Sequence, residues 1–244
     1  MTEGLRHELV EIDLEFIGDI AIGCDNCRIF EIAAVVHTSG VVFQTFVDPC
    51  PLDAVIPAPI EKDCFHITKS FIEEHQIQPI EVCLHKLIDF LHNLDADSIT
   101  LIGHATFRSD MLIIQNAVDR SPSVTWPSNI RFADSLQVCR ISFPHQRIYN
   151  LSALHRSIVG TEMCCAHSAV HDAIALRSIL MRIPHIDQVT VTYSLSDYPL
   201  SNLKEIGAKT ELFVARCGIN VNGHKPHNLT VSQFQTLCAY FNTL

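Results

Sequence analysis

Carboxylate side chains recur at every second position in one short stretch near the start of the chain, LVEIDLEFIG (9–18). Read as a strand, this stretch places Glu11, Asp13 and Glu15 on one face and apolar side chains on the other. Neighbours on such a face lie roughly 6.6 Å apart along the strand. At an effective dielectric of about 20, two carboxylates at that distance repel by about 2.5 kcal/mol. Either water solvates this face or a cation neutralises it, and Asp13 and Glu15 are suitable ligands for a hard divalent cation.

A further candidate carboxylate, Asp110, lies in the stretch LIGHATFRSDMLIIQ (101–115). An apolar strand ends there at Gly103 and His104, and a helix begins near Arg108, which puts Asp110 in the first helical turn. The helix dipole favours an acidic side chain at that place, so Asp110 has a purely structural interpretation. Because it also follows a sheet strand, its carboxylate could instead turn toward the acidic face of the first strand.

The last candidates lie in the helical stretch HSAVHDAIALRSIL (167–180). Asp172 falls on the apolar stripe of this helix, where an unpaired carboxylate is costly to bury. The sequence has no basic residue one turn later on that stripe, which favours a metal ion or a hydrogen-bonded site. His167 stands about 140° away around an ideal helix, so we expect it on the loop before the first turn, beside the site.

The elements that must position these residues alternate in a recognisable order. Hydrophobic periodicity predicts an α/β fold, a mixed sheet covered by helices. The strands are expected at about 9–17, 28–37, 41–48, 98–103 and 129–136, and the helices at about 79–94, from 108 onward, at 151–159 and at 167–183. The character of the chain changes after Pro184, so we expect a domain over 7–184, a connector over 185–200 and a small helical C-terminal extension over 201–244. An apolar face of that extension would pack on the main domain or bind a partner; it comprises Phe234, Leu237, Tyr240 and Phe241.

The bulk composition restricts the class of protein. The 244 residues carry a net charge of −10, which argues against coating nucleic acid through a broad basic surface but is compatible with acidic residues gathered around metal. The sequence shows neither a long uninterrupted apolar segment nor a signal peptide, so we expect a cytoplasmic or nuclear protein that does not bind membranes. Most of its ten cysteines are then expected to be reduced thiols.

Taken together, the order Asp13-x-Glu15, then Asp110, then His167-x4-Asp172 resembles the DEDDh branch of the DnaQ-like 3′–5′ exonucleases. The proline-rich segment that leads to His66-Ile67-Thr68 and the stretch YNLSALHRSIVG (149–160) resemble further family segments. The spacing from His104 to Asp110 is closest to the three-prime repair (TREX-like) group. The resemblance covers roughly residues 7 to 183. Two positions depart from the family pattern: Ala105 stands where asparagine is usual, and Phe16 where a small or hydroxyl residue is usual.

The resemblance implies an RNase H-like mixed sheet and a site that binds two Mg²⁺ or Mn²⁺ ions through Asp13, Glu15, Asp110 and Asp172. It implies His167 as the general base. Substrate contacts are expected from Leu14, Phe16, His66 and Arg108, on a single-stranded or 3′-terminal DNA or RNA substrate. Glu11 matches no family ligand. It is expected either to be solvated or to contact the metal ligands without binding the metal itself.

Other interpretations of the sequence stay open at this point. A relative without activity could use the same fold to bind nucleic acid or a protein partner, including a second copy as a homodimer. A structural protein could use metal only to stabilise its core. Cys24-x2-Cys27 has zinc-like spacing, but a four-ligand site needs a second pair, for which Cys64 with His66 or Cys164 with Cys165 are available.

Overall fold

The computed structural model describes residues 5–17, 27–48, 60–62, 65–67, 74, 77–163, 167–186 and 190–195. Its strands are β1 (His7–Ile17), β2 (Arg28–Val36), β3 (Val42–Phe46), β4 (Ile60–Lys62), β5 (Phe65–Ile67), β6 (Ser98–Gly103), β7 (Ile130–Asp134) and β8 (Thr192–Ser194). Its α-helices are α1 (Ile80–His92), α2 (Asp110–Asp119), α3 (Ser135–Ser142), α4 (Leu151–Leu154) and α5 (Ala169–Leu180). A 3₁₀ turn spans Thr106–Arg108, and α4 continues as a π-helical segment over His155–Val159.

Six strands form one mixed sheet in the order β3-β2-β1-β6-β7-β8. The central strands β1, β6 and β7 run parallel to one another, whereas β2, β3 and β8 pair antiparallel with their neighbours. The short strands β4 and β5 pair separately. The prediction of a mixed sheet is therefore confirmed.

The sheet separates two hydrophobic clusters, because β1 alternates as its sequence predicts. Val10, Ile12 and Leu14 are buried in the cluster that includes side chains of α1 and α2. The other cluster, on the side of α5, joins Leu9 to side chains of α3 and α5. Glu11, Asp13 and Glu15 share the α5 side of β1, so the acidic face is covered by the helix that carries Asp172.

The sheet extends beyond the boundary expected at residue 184. Within the stretch 185–200, β8 pairs with β7, and Ile186, Val191 and Leu195 are buried. The described part of this predicted connector therefore belongs to the sheet and its core. The proposed extension 201–244, with its apolar face, lies outside the described residues. Among the helices that are described, none combines the length and the apolar character needed to cross a membrane.

Gly103, the last residue of β6, lets the following 3₁₀ turn fold back against the sheet. A Cβ atom at this position would lie 1.9 Å from Thr106 Oγ1 and 3.0 Å from the carbonyl oxygen of Ile12. Thr106 is fully buried, so its side chain has little room to move away. The close approach directs the chain from β6 into α2, which begins at Asp110, beside β1.

Gly103→Ala should therefore destabilise the fold by about 1–3 kcal/mol, the usual cost of an overpacked core position. Urea unfolding followed by circular dichroism measures this change. The double variant Gly103→Ala/Thr106→Ala should recover part of the loss, because it removes the hydroxyl that the new methyl group meets first. Equal stability of Gly103→Ala and the wild type would contradict the packing described here.

Candidate active site

Asp13 and Glu15 project from the second half of β1 toward α5. In the pairing with β2, Asp13 lies opposite Ala33 and Glu15 lies opposite Glu31. A β-bulge between Glu15 and Phe16 then ends the regular alternation. Asp13 is half-buried and Glu15 is buried, so this part of the acidic face is not the solvated surface that the alternation alone allows.

Asp110 fulfils both interpretations of its sequence position at once. It is the first residue of α2, and its buried carboxylate also reaches β1. Its Oδ1 accepts a hydrogen bond from the backbone N–H of Leu14 at 3.1 Å, and its Oδ2 accepts one from Ser109 Oγ at 2.7 Å. Loss of hydration on burial raises the pKa of Asp110 to about 6 despite these donors.

Asp172 lies in the first turn of α5, half-buried at the margin of the apolar stripe. Its Oδ2 accepts a 3.3 Å hydrogen bond from the backbone N–H of His167. Its Oδ1 is buried and has no hydrogen-bond partner among the described residues. Burial, followed by the negative charge of Glu15, raises the pKa of Asp172 to about 6. A buried carboxylate oxygen without a donor is where a cation would be expected.

His167 lies on the loop before α5, as its angular offset from Asp172 predicts, and its side chain is exposed. Its backbone adopts a left-handed conformation with φ of +69°, a region in which histidine is more frequent than most side chains. One ligand atom each of Glu15, His167 and Asp172 lie within 4.8 Å of one another. These three residues come from β1, from the loop and from α5.

Asp13 couples this group electrostatically to Asp110. The pKa of Asp13 lies well above its usual range, first because of lost hydration and then because of repulsion by Asp110, Asp172 and Glu15, with a smaller contribution from Glu31. The four acidic residues predicted from distant parts of the sequence therefore repel one another across one site. Oxygen ligands of this kind suit Mg²⁺ and Mn²⁺, so the donor set fits a hard divalent cation.

The four residues expected to contact the substrate differ in burial and in position. Leu14 is buried in the core, and its backbone N–H is bonded to Asp110. Phe16 is half-buried and packs against the same core, whereas Arg108 is exposed at the end of the 3₁₀ turn. His66 lies in β5, where its backbone pairs with Glu61; its side chain lies outside the description. Substrate contact by these four residues stays a prediction.

Glu11 is not solvated, which corrects one of the two roles expected for it. Its side chain is fully buried, and its Oε1 lies 2.5 Å from His37 Nδ1. Arg177 of α5 donates from Nε to the carbonyl oxygen of His37 at 2.8 Å. Glu11 therefore joins β1 to the residue that follows β2, and Arg177 joins that same residue to α5.

Sequence reasoning missed Asp134, which supports the second motif. Asp134 caps α3 by accepting from Leu136 N at 2.8 Å, and it also accepts from Ala105 N at 3.0 Å. This second bond holds Ala105 in a left-handed conformation, with φ of 60°. An aspartate directly before a helical stretch is a recognisable N-cap signal, but its bond to Ala105 has no local signal.

His104 also stabilises the structure around the second motif through hydrogen bonds. Its Nε2 donates to the carbonyl oxygen of Tyr149 at 2.7 Å, so its Nδ1 is the acceptor for Ser135 Oγ at 3.0 Å. Burial lowers the pKa of His104, which favours this neutral form.

Most of the residues that could form the alternative zinc site lie outside the part of the chain that the structure describes. Cys27 is buried in the hydrophobic core. Cys24, Cys64, Cys164 and Cys165 are not described.

The raised pKa of Asp172 predicts how stability depends on pH without metal. The folded protein keeps this proton up to about pH 6, whereas an unperturbed aspartate releases it near 3.8. Folding therefore takes up protons between these pH values, and the contribution of Asp172 to stability falls as the pH rises through them. In EDTA, Asp172→Asn should be more stable than the wild type by about 1–2 kcal/mol at pH 7.5, and this gain should vanish near pH 4.

Chemical denaturation at the two pH values measures this difference. Asp89→Asn, on the exposed face of α1, is the matched control and should shift stability equally at both. An Asp172→Asn variant that is less stable than the wild type at pH 7.5 would show that the cluster does not repel as described.

Comparison with known proteins connects this geometry to a fold. No family model matches the sequence, and no curated protein matches it. The complex of E. coli exonuclease I with single-stranded DNA, in a zinc-bound form, matches with a TM-score of 0.51 at 18% identity, over 75% of this chain and 43% of exonuclease I. The chain thus spans less than half of the length of exonuclease I.

Two further solved structures share the architecture. A 3′-exonuclease that recognises the 3′ end of the histone mRNA stem-loop matches with a TM-score of 0.51 at 13% identity, over 74% of this chain and 66% of that one. The nuclease domain of 3′hExo, a DEDDh family member bound to rAMP, matches with a TM-score of 0.50 at 14% identity, over 74% of this chain and 93% of that domain. The chain therefore has the fold of the DnaQ-like DEDDh exonucleases.

Proposed function

We propose that this protein is a metal-dependent 3′–5′ exonuclease that hydrolyses phosphodiester bonds of DNA or RNA. The observation that carries the proposal is the convergence of Glu15, His167 and Asp172 within 4.8 Å, on a fold shared with 3′-exonucleases. Asp13 and Asp110 complete an acidic site in which lost hydration, and then repulsion by the other carboxylates, raises the pKa of Asp13. The catalytic unit that we propose is the domain predicted over 7–184 together with β8; the helical extension predicted over 201–244 lies outside the described residues.

The acidic residues have a direct role in this proposal. Asp13, Glu15, Asp110 and Asp172 would hold two Mg²⁺ or Mn²⁺ ions, and the donorless Oδ1 of Asp172 supports this assignment. When bound, such ions supply charge stabilisation at the phosphate and a more acidic attacking water. The hydrogen bond from Leu14 N keeps the Asp110 carboxylate turned toward β1, so that it faces the same site as Asp13.

His167 would accept the proton of the attacking water. Its exposed ring on the loop before α5 can reach solvent, and its ligand atom lies close to Glu15 and Asp172. Imidazole is the side chain best suited to accept a proton near neutral pH. The bond between His167 N and Asp172 Oδ2 fixes the base relative to a metal ligand. Arg108, exposed two positions before Asp110, would attract the phosphate backbone.

A nucleic-acid-binding module without turnover is the second candidate. Two substitutions favour it, since Ala105 and Phe16 replace residues that help to seat the terminal nucleotide in the family that the sequence resembles. Retarded but intact strands in the assay below would support this candidate over the enzyme.

A nuclease assay tests the proposed activity: purified protein is incubated with single-stranded DNA or RNA that is labelled at either the 3′ or the 5′ end. With Mg²⁺ or Mn²⁺ we expect stepwise shortening from the 3′ end, and none with EDTA. Asp13→Ala should lower the rate by at least about 100-fold, because the metal-derived stabilisation of several kcal/mol is lost. Asp89→Ala, on the exposed face of α1, should keep the wild-type rate. Intact substrate under all metal conditions would contradict the proposal.

The variant His167→Ala distinguishes whether His167 acts as the general base or as a metal ligand. Loss of a general base should lower the rate by about 10²- to 10⁴-fold, while Mn²⁺ affinity, measured by calorimetry, stays within a few-fold of the wild type. His85→Ala, on the exposed side of α1, is the control for removal of a surface histidine. A parallel fall in metal affinity would make His167 a ligand, and a full rate at neutral pH would remove it from the mechanism.

A further inference from the structure

Glu31 is a buried carboxylate that the proposed mechanism does not use. It lies in the middle of β2 with no exposed surface, in a strand that is otherwise almost entirely apolar. The register places it directly opposite Glu15. Two carboxylates at opposed positions of neighbouring strands destabilise a sheet unless other groups compensate the charge.

Three N–H donors surround Glu31 and supply that compensation. Its Oε2 accepts from Ala169 N at 3.0 Å, and its Oε1 accepts from Val170 N at 3.4 Å. Gln44 of β3 donates from Nε2 to the same Oε1 at 2.8 Å. The first two donors are the opening amides of α5, which have no acceptor within their own helix.

Glu31 thus replaces the local cap that α5 lacks. Ser168 occupies the N-cap position, but its hydroxyl makes no capping bond and instead lies 3.1 Å from His171 Nδ1. A carboxylate at a helix N-terminus also interacts favourably with the helix dipole. The link joins β2 to α5 across 138 positions of sequence.

The amides held by Glu31 lie between the two functional residues of this segment. His167 precedes Ala169 by two positions, and Asp172 follows Val170 by two, within the first turn of α5. His167 N is bonded to Asp172, so the loop and the first turn form one unit with the cap. Any shift of that unit along the sheet would move both side chains relative to Glu15.

We infer that Glu31 is a positioning residue: by capping α5 from β2, it sets where Asp172 and His167 stand against Glu15. Its effect on catalysis rests on the proposed function, whereas its effect on the helix and on metal affinity does not. The alternative of a fifth metal ligand is less well supported, because both oxygens of Glu31 point to N–H donors and the group within 4.8 Å comprises Glu15, His167 and Asp172.

Glu31→Gln tests this assignment, since it keeps the size of the side chain but removes its charge and one acceptor. In the metal-free protein, NMR should show faster hydrogen exchange at the amides of Ala169 and Val170. Calorimetric Mn²⁺ affinity should fall by about 10- to 100-fold, as for other groups that orient metal ligands. At limiting Mn²⁺ the nuclease rate should fall, and saturating Mn²⁺ should restore it.

Two further variants keep the test decisive. Glu11→Gln removes another buried carboxylate from the same sheet face, but one bonded to His37, so the exchange of Ala169 and Val170 should stay unchanged. Gln44→Ala changes an exposed side chain and leaves Glu31 less well held, so it should fold even if Glu31→Gln does not. It should move exchange and Mn²⁺ affinity in the same direction by a smaller amount, about fivefold.

Unchanged exchange and unchanged Mn²⁺ affinity in both Glu31→Gln and Gln44→Ala would overturn the inference. Loss of Mn²⁺ binding in Glu31→Gln that saturating Mn²⁺ cannot restore would also overturn it, because Glu31 would then be a ligand. If the wild type degrades no nucleic acid but exchange and affinity change as expected, the proposed function fails while the positioning role of Glu31 stands.

Discussion

Repulsion among carboxylates that are buried or half-buried is the constraint on which this structure depends. Four acids from β1, α2 and α5 face one site, where lost hydration and then their mutual repulsion raise the pKa of Asp13 well above its usual range. A fold does not gather such groups for stability, since each is costly to bury without a partner. Bound cations would neutralise this repulsion. The free energy that the carboxylates cost the metal-free protein is therefore recovered when metal binds, which strengthens metal binding.

Backbone amides hold Asp110, Asp172 and the neighbouring carboxylate of Glu31 in place. Leu14 N bonds Asp110, His167 N bonds Asp172, and Ala169 N bonds Glu31. Each bond joins a carboxylate to the chain next to another functional residue, so the positions of the acids are mutually dependent. The same logic explains Gly103: without its close approach to Thr106 and Ile12, α2 would not begin where Asp110 can reach β1.

Local periodicity predicted the parts of this molecule that depend on local burial. The alternation along β1 separated its acidic face, the strand 98–103 was predicted with its observed bounds, and the apolar stripe of α5 identified Asp172 as an anomaly. Contacts between distant strands had no such signal. The side chain of Glu11 is paired with His37, the residue that follows β2, and that of Glu31 is paired with the first amides of α5. The short edge strand β8 likewise owes its assignment to pairing with β7.

A crystal grown with Mn²⁺ tests the central claim most directly, because anomalous scattering locates manganese independently of the protein atoms. The account predicts two anomalous peaks in contact with carboxylate oxygens of Asp13, Glu15, Asp110 and Asp172, and Glu31 still bonded to the start of α5. A map with those four carboxylates turned apart and no manganese between them would contradict it.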